Sequence, residues 1–344
     1  MNAHFIAVLK KRIDARYGSN LSSTLIDSIL QENAPEFYQA KNLIRTGNLS
    51  WITLKKYSTF CRYDESHEQY VDLLQTFDPT LKFPPCLKAK FIGDGFGDGS
   101  LNSYRIVKFS NKQYFEKIYL RASSDYKNIL WFYKNLQPTL VNTGVKNPAL
   151  KSITEGDQLA IIYTEYFEDT TPIVDASALY AEKFQSFFDI KQSACRTNKN
   201  NFMTHALYID GKKKAATYAP YSLDNGHEAL TTMEESMSIT VQIFSHGDWY
   251  HKNINKEGVI FDWDRCGFYP AGFDLAYCLS KSLAIKSLDQ LDSAIKQFIP
   301  QSLLAQCQQS IWFFCFIFYS RRVGVQLPVP LLRNLYTKVK SMLA

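Results

Sequence analysis

The chain opens in a helical rhythm. Phe5, Val8, Leu9 and Ile13 recur at the three- and four-residue spacing of one helix face, and a mostly helical stretch is predicted to run to about residue 80. Pro84-Pro85 ends it, because proline disfavours helical backbone in the residue before it and has no N–H to donate. From Cys86 the period changes to two. Short runs predict strands over 87–92, 104–109 and 114–120, with a glycine-rich turn at 93–99 and a second turn at Ser110-Asn111-Lys112. A helix is predicted over 124–136 and a strand over 159–163. The remainder is again helical, most clearly over 176–194 and 227–244. Two short strands, 253–255 and 259–261, flank the turn Lys256-Glu257-Gly258 and interrupt the helices. The apolar run 311–319 suits a buried core helix and is far shorter than the roughly 20 residues of a membrane span.

This order predicts an α+β fold in three parts: a helical N-terminal extension (1–85), a small antiparallel β lobe with one helix (86–165), and a larger helical lobe (166–344). Such a bilobal domain places its ligand cleft at the connection 165–169. Composition narrows the class. With 46% hydrophobic and 21% charged residues the chain is globular, not disordered. A net charge of +6, from dispersed Lys and Arg, falls short of a nucleic-acid-binding face and suits an anionic ligand such as a nucleotide. The seven cysteines are odd in number and widely spaced, with no C-x-x-C, which argues against a disulfide framework or a zinc site and for a reducing cytoplasm. Residues 1–16 carry charge throughout, unlike the apolar core of a signal peptide.

The chemistry concentrates in Ser245-His246-Gly247-Asp248-Trp249-Tyr250-His251-Lys252-Asn253 and in Val259-Ile260-Phe261-Asp262-Trp263-Asp264. Phosphoryl transfer to a hydroxyl needs an acidic group to orient the nucleophile and accept its proton. It also needs hard oxygen ligands for Mg²⁺. A carboxylate, an amide five residues later and a second carboxylate at the end of an apolar strand supply that set. Taken singly, Asp248 and Asn253 also suit a turn, Asp262 an exposed strand end, and Asp274 a helix N-cap.

Together these residues, with the continuation Gly267-Phe268-Tyr269-Pro270-Ala271-Gly272-Phe273-Asp274, resemble the aminoglycoside phosphotransferase and choline kinase-like family of the protein-kinase-like superfamily. The resemblance is sharp over 245–276, fainter over 86–170, and does not extend to 1–80. It implies a bilobal protein-kinase-like fold and an ATP- and Mg²⁺-dependent kinase acting on a small-molecule hydroxyl: a sugar, amino alcohol, aminoglycoside or glycan intermediate. Asp248 would be the catalytic base, Asn253 and Asp262 the Mg²⁺ ligands, His246 a brace for the catalytic loop, and Asp274 a buried carboxylate that caps the next helix and ties the loops together. Gly95, Gly97 and Gly99 would cover the nucleotide's phosphates, Lys117 would contact them, and the backbone around Glu165 and Phe167 would bind the adenine edge. The expected partners are a nucleotide and a small acceptor, without nucleic acid or a membrane span; the helical extension offers a surface for a partner protein.

Three departures are visible. No Glu lies between Lys117 and Glu155 to pair with the lysine, although Asp125 stands at the start of the intervening helix. The Asn253-to-Asp262 hairpin is short. Tyr250 stands where protein kinases carry a lysine, which points to a small-molecule acceptor. The same fold also admits transfer to a protein, transfer of AMP, or a non-catalytic pseudokinase module.

Overall fold

The computed structural model describes residues 75, 78–85, 88–95, 102–190, 202–218, 226–238, 240–281, 285–322 and 329–343. The helical extension expected over 1–85 therefore lies almost wholly outside the described residues. Its last piece, 78–85, is a turn followed by irregular chain. Contacts divide the chain into two compact units, Met1–Arg121 with Lys151–Thr164, and Ala122–Leu150 with Glu165–Ala344.

The first unit is a five-stranded sheet of order β1-β2-β3-β5-β4: β1 (Lys88–Gly95), β2 (Asn102–Phe109), β3 (Lys112–Leu120), β4 (Leu150–Glu155) and β5 (Leu159–Glu165). β1, β2 and β3 pair antiparallel. The turn between β2 and β3 takes Ser110 into positive φ, at 52°. Gly93 and Gly95 belong to β1, not to a turn, while Gly97 and Gly99 lie outside the described residues. β4 escaped the sequence reading because this edge strand, Leu-Lys-Ser-Ile-Thr-Glu, carries exposed polar residues and no clear alternation. β5, from Leu159 to Tyr163, is buried on both faces.

Two devices lock this unit. Arg105 and Glu116 face each other across β2 and β3, both 1% exposed, and join by two hydrogen bonds of 2.6 and 2.8 Å. Asp78, fully buried, accepts the N–H groups of Gln158 and Leu159 at 2.8 Å each and the Thr80 hydroxyl at 2.7 Å. It thus clamps the chain entering the sheet to the β4–β5 turn. Gly156 in that turn lies so close to the Asp78 carboxyl that a Cβ would collide with it.

The second unit is mostly helical: α1 (Ser124–Trp131), α2 (Gln137–Asn142), α3 (Ala176–Asp189), α4 (Ala206–Tyr218), α5 (Gly226–Ser238), α6 (Phe273–Ser280), α7 (Leu288–Phe298), α8 (Gln301–Ser320) and α9 (Val329–Leu343). Ser123 caps α1 by accepting the Tyr126 N–H, and Asp175 caps α3 by accepting those of Ser177 and Ala178. Between α1 and α2 the chain widens into a π-helical segment, Phe132–Leu136. Pro138 follows it; proline lacks an N–H and clashes with the carbonyl four residues back, so the ordinary helical register cannot continue. α8 is buried on every side from Ser310 to Ser320, the core helix expected from its apolar run. No described helix is long and apolar enough to cross a membrane.

Three predicted elements differ. The helix expected over 227–244 stops at Ser238, and Gln242–Ser245 forms strand β6, paired antiparallel with β7 (Gly267–Pro270). A short buried apolar run such as Ile243-Phe244 carries no period that separates strand from helix. The strands expected over 253–255 and 259–261 reduce to isolated bridges, Ile254 to Ile260 and Asn255 to Pro172, preceded by a 3₁₀ turn, His251–Asn253. The fold is nevertheless α+β, with a small antiparallel sheet and several helices, as the order of elements predicted.

Candidate functional site

In the second unit β6 delivers the His246-Gly247-Asp248 loop and β7 supports it, with Ser245 opposite Gly267. Gly247 has φ 84°, and a Cβ there would strike the Arg265 carbonyl, so the close passage of these two loops requires glycine. Trp249 is buried and donates its indole N–H to the Ala176 carbonyl at 2.9 Å, pinning the loop to the start of α3. Trp263 is buried too, stacked on Phe132 (4.6 Å) and Phe244 (6.0 Å). Both tryptophans are thus core, and Tyr269, also buried, donates to the Arg265 carbonyl at 2.8 Å.

His246 is fully buried. Its Nε2 lies 2.7 Å from the Phe261 carbonyl, and its Nδ1 accepts the Asp248 N–H at 3.2 Å. One imidazole therefore holds both the Asp248 loop and the segment leading to Asp262. Burial lowers its pKa, so the ring is neutral, with Nε2 the protonated nitrogen that these two bonds require.

Asp274 is fully buried and accepts the His246 and Gly247 N–H groups at 2.6 and 2.9 Å. It does not cap α6: Gly272 occupies the N-cap position, and Asp274 sits within the first turn, turned to the loop's amides. Burial first, and the nearby Asp248 charge, raise its pKa to about 7 against the pull of those N–H groups.

The three groups of the sequence motif come together here. The Asn253 amide donates to the Asp248 backbone carbonyl at 2.8 Å, and the Asn253 carbonyl accepts the Phe261 N–H at 2.8 Å. Asp262 follows at once, in the left-handed region with φ 62°, and is exposed. Asp248 is half-buried; burial and the Asp262 charge raise its pKa, opposed by Arg265, His246 and a hydrogen bond from the Tyr277 hydroxyl. A carboxylate whose proton affinity is raised by a second carboxylate's charge is a natural seat for a cation. The donors are all hard oxygens. Among the described residues no three His, Cys, Asp or Glu cluster into a closed metal cage. Mg²⁺ suits such a set, since it is usually held by one or two carboxylates and completed by substrate phosphates.

Two further residues were missed in the sequence. Arg265 has a raised pKa: burial opposes its charge, but the fields of Asp248, Asp125, Asp262 and Asp264 outweigh it. Asp125 at the start of α1 thus stands in the field of this arginine. Tyr277 is three residues beyond Asp274 on α6, one helical turn along the same face, a spacing that could have flagged it. Arg265 has no such local signal.

The connection after β5 is tied to the same loops. Phe167 packs edge-on against Phe261 at 5.6 Å, the Asn255 amide donates to the Asp169 carbonyl at 3.0 Å, and Lys256 pairs with Asp169 at 2.6 Å. The Glu165 N–H bonds to the Ala149 carbonyl at 2.8 Å. Lys117 belongs to the sheet unit, where it is 6% exposed with its ammonium 5.2 Å from the Tyr104 ring centre and 5.3 Å from that of Tyr119.

No protein-family model and no curated protein matches the sequence. Solved structures are similar in fold. A microcompartment-associated aminopropanol kinase aligns at 11% identity, over 74% of this chain and 89% of that one, with a TM-score of 0.46. A spectinomycin phosphotransferase in complex with ADP and spectinomycin aligns at 13% identity, over 80% and 94%, with a TM-score of 0.42. A choline kinase from Streptococcus pneumoniae aligns at 18% identity, over 75% and 94%, with a TM-score of 0.40. These proteins are of the group that the loop motif resembles. At such identities and scores the chemistry has to be read from the site itself.

Proposed function

We propose that this protein is an ATP- and Mg²⁺-dependent phosphotransferase acting on the hydroxyl of a small molecule. The observation that carries the reading is the Asp248, Asn253 and Asp262 cluster, in which the amide of Asn253 grips the Asp248 loop and the Asp262 charge raises the proton affinity of Asp248. Asp248 orients the acceptor hydroxyl and takes its proton as the new O–P bond forms and the bond from the γ-phosphorus to ADP breaks. Its raised proton affinity favours that role. The side-chain oxygens of Asn253 and Asp262 would hold Mg²⁺, which neutralises triphosphate charge when bound. His246 and Asp274 keep the loop in shape. In this reading the backbone near Glu165 and Phe167 binds the adenine edge. Transfer is direct, so no phosphoenzyme forms.

Asp248→Ala is expected to lower turnover by about 10²- to 10⁴-fold while leaving nucleotide affinity nearly intact. Asp262→Ala is expected to abolish Mg²⁺-dependent nucleotide binding. An ADP-release assay across sugars, amino alcohols, hydroxy acids and aminoglycosides, with thermal melts in Mg·AMP-PNP, reads both. Full turnover in Asp248→Ala would remove the base assignment.

A further inference from the structure

The strongest unused feature of the helical unit is Lys281, the C-cap residue of α6. It is half-buried, with its ammonium 4.9 Å from the Tyr277 ring centre and 5.7 Å from that of Tyr250. Tyr277 is the residue whose hydroxyl bonds to Asp248, and Tyr250 lies two residues beyond Asp248 in the same loop. The strongest charges acting on Lys281 are Arg321, Arg322, Asp248 and Lys252, three of them cations. It makes no ion pair among the described residues, and burial together with those cations lowers its pKa. The helix end does not account for it, because Arg322 already donates to the Ser280 carbonyl there. A half-buried ammonium among like charges, beside the proposed base, is an electrostatic strain that a bound anion relieves.

Resting on the phosphotransferase reading above, we propose that the acceptor carries an anionic group, a phosphate or a carboxylate, which Lys281 binds between Tyr250 and Tyr277 while the acceptor's hydroxyl meets Asp248. Arg321 and Arg322 add to the field. Arg321 is partly occupied by Asp210 at 2.7 Å, so Lys281 carries the recognition. The two rings shield the ammonium from water, which strengthens a charge-assisted hydrogen bond to the incoming anion. The same field repels a cationic acceptor. Amino alcohols and aminoglycosides are therefore poor substrates, and phosphorylated sugars or hydroxy acids good ones.

The test loads the full-length protein with saturating Mg·AMP-PNP, so that the nucleotide's own phosphates fill their site. It then titrates glycerol 3-phosphate, glycerate, glycerol and choline at constant ionic strength while following the melting temperature. The phosphate and carboxylate arms separate the two anion classes. At least one anion is expected to raise the melting temperature, with an apparent Kd weakened about tenfold or more in Lys281→Met and largely restored in Lys281→Arg. Stabilisation by choline or glycerol equal to that by the anions, no stabilisation by either anion, or an unchanged anion Kd in Lys281→Met, each overturns the proposal and leaves the nucleotide shift intact. Absence of the Mg·AMP-PNP shift itself would instead remove the phosphotransferase reading and this inference with it.

Discussion

Asp78 in the sheet unit and Asp274 in the helical unit are both fully buried, and both receive backbone N–H groups from a distant loop. Their charges respond in opposite ways. For Asp78, burial raises the pKa, but the Thr80 hydroxyl and the N–H groups of Leu159, Gln158 and Asp157 outweigh it, and the net shift is downward. For Asp274, burial is the larger effect, the Asp248 charge adds to it, and the same kind of N–H contacts fail to compensate. The difference lies first in depth: burial weighs far more heavily on Asp274 than on Asp78, and the Asp248 charge adds to it. Asp78 clamps the chain ahead of β1 to the distant β4–β5 turn, with no competing carboxylate among its strongest influences. Asp274 lies beneath a loop that gathers acidic groups, and its position costs the fold something that a structural latch alone would not require. One carboxylate holds a fold together; the other holds a site in shape.

The largest test of that distinction is Asp274→Asn. The side chain keeps its size but offers one acceptor oxygen where two are used, and turns an N–H toward one of the two backbone donors. The Asp248 loop is then free to shift. A misplacement of about 1 Å at a reacting group costs on the order of 100-fold in rate. Turnover is expected to fall at least that far while the melting temperature drops by only a few degrees, measured on the same preparation. A variant with normal turnover and a large loss of stability would reverse the roles assigned to the two aspartates.

Asp78→Asn is the matching experiment in the sheet. It removes a charged acceptor from several hydrogen bonds, and a loss of about 2 kcal/mol is expected in urea unfolding. The kcat of the protein that remains folded should change less than about twofold. The buried Arg105–Glu116 pair sets the scale within the same unit, since removing one partner of such a pair costs about 3–5 kcal/mol.

What was legible in the sequence follows from how local each feature is. Asp248, Asn253 and Asp262 are close along the chain, and their residue types, their spacing and the family resemblance marked them as a set, which the structure brings together. The α8 core helix was equally plain from its uninterrupted apolar run. β6 and β7 were not, because each is four residues long and buried, with no period to read. Arg265, Tyr277 and Lys281 act on Asp248 only through the folding of α6 and the loop after Asp262, and Asp78 meets its partners 79 to 81 residues away. Such contacts belong to the tertiary structure and leave no spacing in the chain. The role of Asp274 was half visible: a buried carboxylate tying loops together, but through the loop's amides and not as a helix cap.

The smallest expected effect is also the most specific, a difference in pH dependence. The folded-state pKa of Asp78 is depressed, so its contribution is fully present above the ordinary carboxylate range near 4 and is lost as the pH falls through the lower folded value. Asp274 has a folded-state value of about 7, above its unfolded value; its stabilisation is fully present below about 4 and is lost as the pH rises toward 7. Urea unfolding of wild type, Asp78→Asn and Asp274→Asn between pH 3 and 8 separates the two signs. The gap between wild type and Asp78→Asn should shrink as the solution is made acidic. For Asp274→Asn, wild-type stability should fall relative to the variant as the pH rises from 4 to 7. Parallel curves for the two variants would mean that depth of burial and neighbouring charge do not distinguish these carboxylates, and the contrast between latch and site support would rest on turnover alone.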